Sequence, residues 1–190
     1  KTAFNVNQVC GSGLRAIVLG YQSIGMGSSK FVIAGGQESM SNSNEKEMLT
    51  NGLIDAFNNY HMGVTAENVA EKYNISRQEQ DIFSISSQKK AKKAYEEKKF
   101  KDELIKLQIQ TNNEKFIFEH DEYLRNNINL DDLEKLKTVF KENGTVTPGN
   151  SSGLNDGAAA VVLMTRERAE LKSLETVSYT HLRAHETRYH

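Results

Sequence analysis

The sequence predicts an α/β protein in which one βαβ layer is interrupted by an inserted α+β lobe. Residues Phe4 to Val9 alternate apolar and polar side chains, which is typical of a strand. From Leu14 to Ile24 the apolar residues recur at helical spacing, and a continuous apolar run follows at 31–34. A strand, a helix and a second strand in this order predict a βαβ unit with a right-handed crossover.

Glycines mark the limits of this first helix. The turn CGSG at residues 10–13 separates it from the preceding strand, and Gly25 and Gly27 mark its expected end, since glycine commonly follows the last helical turn. The run at 31–34 lacks polar alternation. We therefore expect it to be a strand that is buried on both faces of a parallel sheet.

A polar and highly charged region, 41–145, is predicted to form the inserted lobe. Ser76 and Glu79 have the spacing of a capping box, which predicts a long helix from there to about Lys98. The other elements expected in the lobe are strands at 104–109 and 116–118, and a short helix capped by Asn129 that carries Leu133, Leu136 and Phe140.

The segment 146–172 is expected to return to the first layer. It contains an expected strand of small residues at 158–164, and Thr165 is expected to cap the helix that follows. The predicted domains are therefore a core layer made of 1–40 and 146–172, and an inserted lobe of 41–145.

Neither end of the chain is expected to be a natural terminus of a folded domain. Lys1 is not an initiator methionine, so we expect further sequence before it in the natural protein. Residues 173–190 are expected to form a disordered or non-native tail. We assign no metal site to the three histidines of this tail, which are His181, His185 and His190.

The composition argues against several classes of function. The 190 residues include 24 lysines and arginines and 25 aspartates and glutamates with the two signs interleaved, so we expect no nucleic-acid partner. No apolar stretch approaches the roughly 20 residues of a membrane span, and we expect no membrane partner. A single cysteine fits a reducing compartment, and the cytoplasm is the expected location.

Cys10 is the strongest candidate for a catalytic residue. It lies where a predicted strand meets the start of a helix, and the amides and partial positive charge of a helix terminus favour a nucleophilic thiolate. The glycines at Gly11 and Gly13 would let a substrate carbonyl approach and would leave amides free to hold an oxyanion. The alternative is that the cysteine is simply a small buried apolar residue.

The same glycines allow a second interpretation. Gly11, Gly13 and Ala16 fit the G-x-G-x-x-A pattern of dinucleotide-binding proteins, with Glu38 as a ribose acceptor after the next strand. This would indicate a nicotinamide-dependent oxidoreductase. The glycine pattern alone is weakly specific, and a thiol stands directly before its first glycine.

Two internal histidines remain. His61 lies between Tyr60 and Met62, where it either lines an apolar pocket or serves as an ordinary packing residue. His120 follows Glu119 in an acidic stretch that predicts an exposed loop, and we assign it no catalytic role.

Six sequence motifs, which follow one another in the same order as in the thiolase family, resemble the motifs of that family. The similarity extends from the first residues to about Ser173. Within the family it is greatest to the acetyl-CoA acetyltransferases, and the YHMG element resembles the acetoacetyl-CoA type. It implies a thiolase-like fold whose C-terminal half is absent from this chain. The motifs are NVNQVCGSGLRAI, AGGQESMS, YHMGVTAENVAEKY, FKDEL, DEYLR and GTVTPGNSSGLNDGAAAVVLM.

The resemblance implies an acyltransferase that condenses two acetyl-CoA into acetoacetyl-CoA and coenzyme A, and that also catalyses the reverse thiolysis. Cys10 matches the family's nucleophile, which carries the acetyl group as a thioester. The coenzyme A thioester is a substrate, and neither a cofactor nor a metal is implied. The positions that match the family's coenzyme A contacts are Leu53, His61, Met62, Arg125, Phe140, Pro148 and Ser152.

Two of these positions suit the ligand's chemistry. Arg125 offers a delocalised cation with five donors, which suits a nucleotide or phosphate group. Ser152 offers a hydroxyl for the amides of pantetheine. Asp132 departs from the family pattern, which has a serine there, and it places a negative charge near the expected phosphates.

The chain lacks the GHP histidine, the asparagine-glutamate motif and the second cysteine that the family carries in its C-terminal half. We therefore expect the chain to be inactive by itself, and either a homodimer or a homotetramer when full length. The alternatives are a degradative 3-ketoacyl-CoA thiolase and a noncatalytic module that binds coenzyme A or mediates dimerisation.

Overall fold

The computed structural model describes residues 2–44, 52–111 and 114–175. In chain order its helices and strands are α1 (Ser12–Gly25), β1 (Val32–Glu38), α2 (Met62–Tyr73), α3 (Arg77–Glu96), β2 (Leu107–Gln110), β3 (Lys115–Phe118), α4 (Leu130–Glu134), β4 (Gly157–Leu163) and α5 (Arg166–Leu171).

The chain divides into two compact units. The first comprises Lys1–Glu38 and Asp156–His190, and the second comprises Ser39–Asn155. This division differs from the predicted one at 39–40 and at 146–155, both of which group with the second unit. Val146 and Asn150 are hydrogen-bonded to helices of that unit. The predicted tail lies outside the described residues from 176 onward.

In the first unit, α1 packs against a two-stranded antiparallel sheet. Strands β1 and β4 pair with Val32 opposite Leu163 and Glu38 opposite Gly157. The helix approaches the sheet at Gly20, where a Cβ atom would lie 2.8 Å from the Leu163 side chain and 3.0 Å from that of Val32. Glycine therefore permits this close contact, and Ala34 is buried in the strand. The predicted limits of α1 are confirmed, because it ends at Gly25.

The predicted α/β fold class is confirmed, but the strand pairing in this unit differs from the predicted βαβ arrangement. Among the described residues, no strand forms at 4–9, and β1 pairs with the antiparallel β4 rather than with a parallel neighbour. An extended segment without a partner leaves its backbone groups to water, which does not favour a strand. The expectation that the apolar run is buried on both faces is also wrong, since Ile33 is 76% exposed. In the part of the chain that the structure describes, α1 packs against one face of this two-stranded sheet, and Ile33 lies on a face that stays exposed.

The second unit contains α2, α3, α4 and the β2–β3 hairpin, in which Leu107 pairs with Phe118. The capping box at the start of α3 is confirmed, because Ser76 and Glu79 bond to each other's backbone amides. Among the described residues, no helix has the length and the apolar character needed to cross a bilayer.

The cap of α4 is confirmed, but its predicted extent is wrong. The Asn129 side chain accepts a hydrogen bond from the Asp132 amide, as expected for a cap. The helix nevertheless ends at Glu134, so Leu136 and Phe140 lie beyond it. The Arg77 guanidinium donates to the carbonyls of Leu133 and Leu136, and these bonds from α3 stabilise the turn that replaces further helix.

Among the described residues of the second unit, both apolar and polar side chains are buried. Leu133, Val146 and Ala70 form the apolar part. Because a buried charge is costly unless it is paired, the polar groups require partners, and hydrogen bonds supply them. The buried polar residues are Glu67, Asp81 and Thr147.

Candidate functional site

Cys10 lies on a tight turn at the entrance to α1, and its side chain is exposed. The next residue, Gly11, is the N-cap of the helix. The Gly11 amide donates to the Gln8 carbonyl over 3.0 Å, and the Ser12 amide donates to the Val9 carbonyl over 3.1 Å. The thiol is therefore presented to solvent on a turn that is closed by hydrogen bonds on either side of it.

Side-chain hydrogen bonds stabilise this turn, which contains a residue with a strained backbone conformation. The Ser12 hydroxyl accepts from the Gln8 amide over 2.8 Å and donates to the Val9 carbonyl over 2.7 Å. The Asn7 side chain accepts from the Val9 amide over 3.0 Å. Val9 has a φ of 50°, a conformation that costs a β-branched residue about 1–3 kcal/mol. The surrounding hydrogen bonds hold the backbone before Cys10 in this conformation.

The glycines after Cys10 serve only in part as predicted. The Gly11 amide is already bonded to Gln8, so the expectation that it is free for an oxyanion is wrong. The position of Gly13 is open, because a Cβ atom there would meet nothing within 4 Å.

The dinucleotide interpretation does not fit this geometry. It requires a strand before the glycine pattern and a parallel strand after the helix. Within the described residues there is no strand before Cys10, and β1, which ends at Glu38, is antiparallel to its partner.

In the second unit, His61 is the N-cap of α2 and packs against Phe140. Its Nδ1 atom accepts a hydrogen bond of 2.9 Å from the Gly63 amide. The His61 and Phe140 rings are stacked with their centroids 4.7 Å apart. A side chain at Gly63 would collide with the Phe140 ring. The start of α2 therefore brings together three predicted contact residues, His61, Met62 and Phe140.

Leu53 lies beside this group. The next residue, Ile54, forms an isolated antiparallel bridge with His61. The Asp55 carboxylate closes the intervening loop, and hydrogen bonds from the backbone amides of Asn58 and Phe57 hold the pKa of Asp55 below its ordinary value. Leu53 is thus connected to the cap of α2 through the backbone of its neighbour.

Two shallow, open concavities lie on the second unit. One, of about 410 Å³, is mainly apolar and is bordered by Met62, Val69 and Ile75. The other, of about 520 Å³, is lined by residues 137–143, which include Phe140.

Pro148 and Ser152 lie on a single loop of the second unit, and both are exposed. The loop's base is buried at Val146 and Thr147. The Ser151 hydroxyl donates to the Thr147 carbonyl over 2.7 Å. Pro148 and Ser152 are therefore exposed, and they follow closely after the buried residues Val146 and Thr147, which fix the start of the loop in the core.

Arg125 is exposed near the same loop. Its guanidinium carbon lies 5.7 Å from the centroid of the Tyr123 ring, and the Tyr123 hydroxyl donates to the Ser151 carbonyl over 3.0 Å. The Arg125 amide donates to the Gln88 side chain over 2.9 Å, which fixes its backbone to α3. Arg125 is thus connected through Tyr123 to the loop that carries Ser152.

The structure gives a local reason for Asp132. Its carboxylate accepts from the Asn129 side chain over 2.6 Å and lies 3.7 Å from the Lys135 ammonium. The negative charge therefore has partners at the start of α4. His120 is exposed and lies 3.7 Å from the Glu119 carboxylate, which agrees with the expectation of an exposed loop.

Sequence reasoning missed two buried carboxylates, Glu67 and Asp81. Glu67 is on the helical face that also carries Gly63 and Ala70, at the spacing i, i+4 and i+7. The signal in the sequence that could have indicated this burial is an acidic residue on a helical face whose other members are small. Its pKa would be raised by burial, but hydrogen bonds from Val146 and Thr145, with the nearby charge of Lys141, lower it below the ordinary value.

Comparison with known proteins gives consistent similarities. Residues 1–49 and 43–167 match the family model described as the thiolase N-terminal domain. The chain is 43% identical, over an alignment of 194 residues, to an acetyl-CoA acetyltransferase of Rhizobium meliloti (strain 1021). That alignment covers 94% of this chain and 49% of the relative.

Two further proteins support this similarity. An acetyl-CoA acetyltransferase of Paracoccus denitrificans is 45% identical over 190 residues, covering 92% of this chain and 49% of that protein. The crystal structure of the Bacillus anthracis acetyl-CoA acetyltransferase has a TM-score of 0.83 at 35% identity, covering 90% of this chain and 48% of that chain. The chain spans about half the length of the curated relatives it matches.

Proposed function

Because this chain belongs to the thiolase family, we propose that it carries the acyl-accepting part of an acetyl-CoA acetyltransferase. The observation that carries the proposal is the exposed Cys10 thiol on a hydrogen-bonded turn directly before the N-cap of α1. This turn lies within the first segment that matches the thiolase N-terminal domain.

The first chemical step is the transfer of an acetyl group to Cys10. The Cys10 thiolate attacks the carbonyl carbon of acetyl-CoA, a new C–S bond forms, and the bond to the coenzyme A sulfur breaks. The leaving coenzyme A thiolate then takes up a proton. Since one thioester replaces another, this step costs little free energy.

In the second step, the enolate of another acetyl-CoA attacks the acetyl group on Cys10. A carbon–carbon bond forms, the thioester bond to Cys10 breaks, and acetoacetyl-CoA leaves. This step requires removal of a proton from a methyl carbon, and we assign no base for it among the described residues. We therefore expect the chain alone to be inactive in the complete reaction and to release no acetoacetyl-CoA, whereas the first step requires only Cys10 and acetyl-CoA.

The coenzyme A part of the substrate is proposed to bind to the second unit. Arg125 would contact phosphate or the nucleotide, and Ser152 would bond to the amides of pantetheine. The residues that contribute apolar contacts are Leu53, His61, Met62, Phe140 and Pro148.

The test is acetylation of the chain by acetyl-CoA, followed by intact mass spectrometry. We expect a mass increase of one acetyl group, and its removal by hydroxylamine, which cleaves thioesters. Since the sequence contains one cysteine, Cys10→Ser should abolish this adduct. An equal yield in that variant would eliminate the assignment.

The same experiment separates the alternatives. Preference for a long-chain acyl-CoA over acetyl-CoA would favour a degradative 3-ketoacyl-CoA thiolase. Binding of coenzyme A without any adduct would favour a noncatalytic module.

A further inference from the structure

The Glu67 carboxylate is the main connection between α2 and the loop at 145–152. It is 3% exposed. It accepts hydrogen bonds from the Thr145 amide at 2.9 and 2.8 Å, from the Thr145 hydroxyl at 2.9 Å, and from the Val146 amide at 2.8 Å. These bonds join groups that are 78 or 79 residues apart in the chain.

Every partner of this carboxylate in those bonds is a donor. An ionised carboxylate accepts on both oxygens, whereas a glutamine would point its own N–H groups toward at least one of these donors. The backbone also fits closely around the group, because a side chain at Gly144 would collide with the Glu67 carboxylate. The site is therefore specific for a carboxylate at this position.

The loop divides into a buried base and exposed positions. Val146 is 6% exposed and Thr147 is fully buried, whereas Pro148 and Ser152 are exposed. The middle of the loop is held as well, because Asn150 donates to the buried Asp81 carboxylate and Tyr123 donates to the Ser151 carbonyl. The positions of Pro148 and Ser152 therefore depend both on these bonds and on how Glu67 holds the base of the loop.

The same helix also positions two further predicted contact residues, His61 and Phe140. Six residues before Glu67, His61 caps α2, and its ring stacks on Phe140. Because α2 holds Phe140 at one end and the base of the loop at Glu67, it sets the spacing between the two groups of predicted contacts.

We propose that Glu67 is a positioning residue for coenzyme A, which it does not touch. Its carboxylate holds the base of the 145–152 loop against α2, so that Pro148 and Ser152 face the ligand together with His61 and Phe140. This inference rests on the proposed function, since it assumes that these residues bind coenzyme A.

The test compares Glu67→Gln with Glu71→Gln by measuring the affinity of coenzyme A for the 190-residue chain by calorimetry. Glu71 is the matched control, because it lies one turn further along α2 and its exposed carboxylate accepts from Lys141 over 2.8 Å. Since charge-assisted bonds are lost, we expect Glu67→Gln to weaken binding by about tenfold or more. Glu71→Gln should bind as the unchanged chain does.

A second pair of variants keeps the test valid if Glu67→Gln fails to fold. Thr145→Val keeps the shape of the side chain but loses the hydroxyl that donates to Glu67 and accepts from Gln80. Thr145→Ser keeps this hydroxyl. We expect weaker binding in Thr145→Val and recovery of affinity in Thr145→Ser, whereas a role in packing alone would give the opposite order.

The outcomes are distinct. If the unchanged chain does not bind coenzyme A, the proposed binding function fails and this inference falls with it. If it binds, and a folded Glu67→Gln or Thr145→Val binds equally well, the proposed function stands and the role of Glu67 is overturned.

Discussion

The Asn150 side-chain amide donates a hydrogen bond of 2.9 Å to the carboxylate of Asp81, 69 residues earlier in the chain. Asp81 is fully buried, and its other oxygen accepts from the Arg77 guanidinium over 2.7 Å. The same Asn150 amide also donates to the Thr145 carbonyl over 3.0 Å. This buried carboxylate therefore connects α3 to the loop that carries Pro148.

We expect Asp81→Ala to destabilise the chain strongly. The change removes the carboxylate that pairs with the partly buried Arg77 cation and accepts from Asn150, and it leaves both donors with carbonyl acceptors only. Breaking a buried ion pair in this way costs about 3–5 kcal/mol. The measurement is the free energy of unfolding in urea. Glu96→Ala on the same helix is the control, since its pair with Lys92 is exposed and 4.0 Å apart. Equal stabilities for the two variants would contradict this account.

A second prediction separates the two roles of His61. His61→Ala removes both the cap of α2 and the stack on Phe140, which together should cost about 1–2 kcal/mol of unfolding free energy. His61→Asn keeps a side-chain acceptor for the Gly63 amide and loses only the stack, so we expect a smaller loss. Urea denaturation of both variants tests this, and identical losses would show that the cap contributes nothing.

A third prediction concerns the pH dependence of stability. Burial by itself would raise the pKa of Glu67. The hydrogen bonds from Val146 and Thr145 lower this pKa by more than burial raises it, so the net pKa is below the ordinary value of 4.5. Below pH 4.5 the unfolded chain therefore binds more protons at this position than the folded chain does. The stabilisation by Glu67 is complete above that pH and is lost as the pH falls through the folded pKa.

The measurement is the difference in unfolding free energy between the unchanged chain and Glu67→Gln across acidic and neutral pH. We expect this difference to be constant near neutrality and to shrink below pH 4.5. Glu71, Glu79 and Glu119 also have lowered pKa values, but they are present in both proteins, so their effects cancel. A difference that does not change with pH would contradict the assignment.

The candidate site was predictable where its signals are local. Cys10 was identified from its place before a glycine-rich helix start, and the structure puts its exposed thiol there. The grouping of His61 with Phe140 was not predictable, because 79 positions separate them in the chain and histidine is an unusual cap. The burial of Glu67 and Asp81 was not predicted, because, apart from Arg77, the groups that donate hydrogen bonds to their carboxylates are 69 to 79 positions away in the sequence.

Short-range chemistry in the sequence determined the ends of α1, the capping box of α3 and the Asn129 cap, since each depends on residues within a few positions of one another. The family membership of the chain was likewise visible in its ordered motifs. Only the tertiary structure decided that β1 pairs with an antiparallel strand and that two carboxylates are buried beneath the 145–152 loop. The physical reason is that strand pairing and the hydrogen bonding of buried charges depend on groups distant in sequence, whose contacts exist only once the chain has folded.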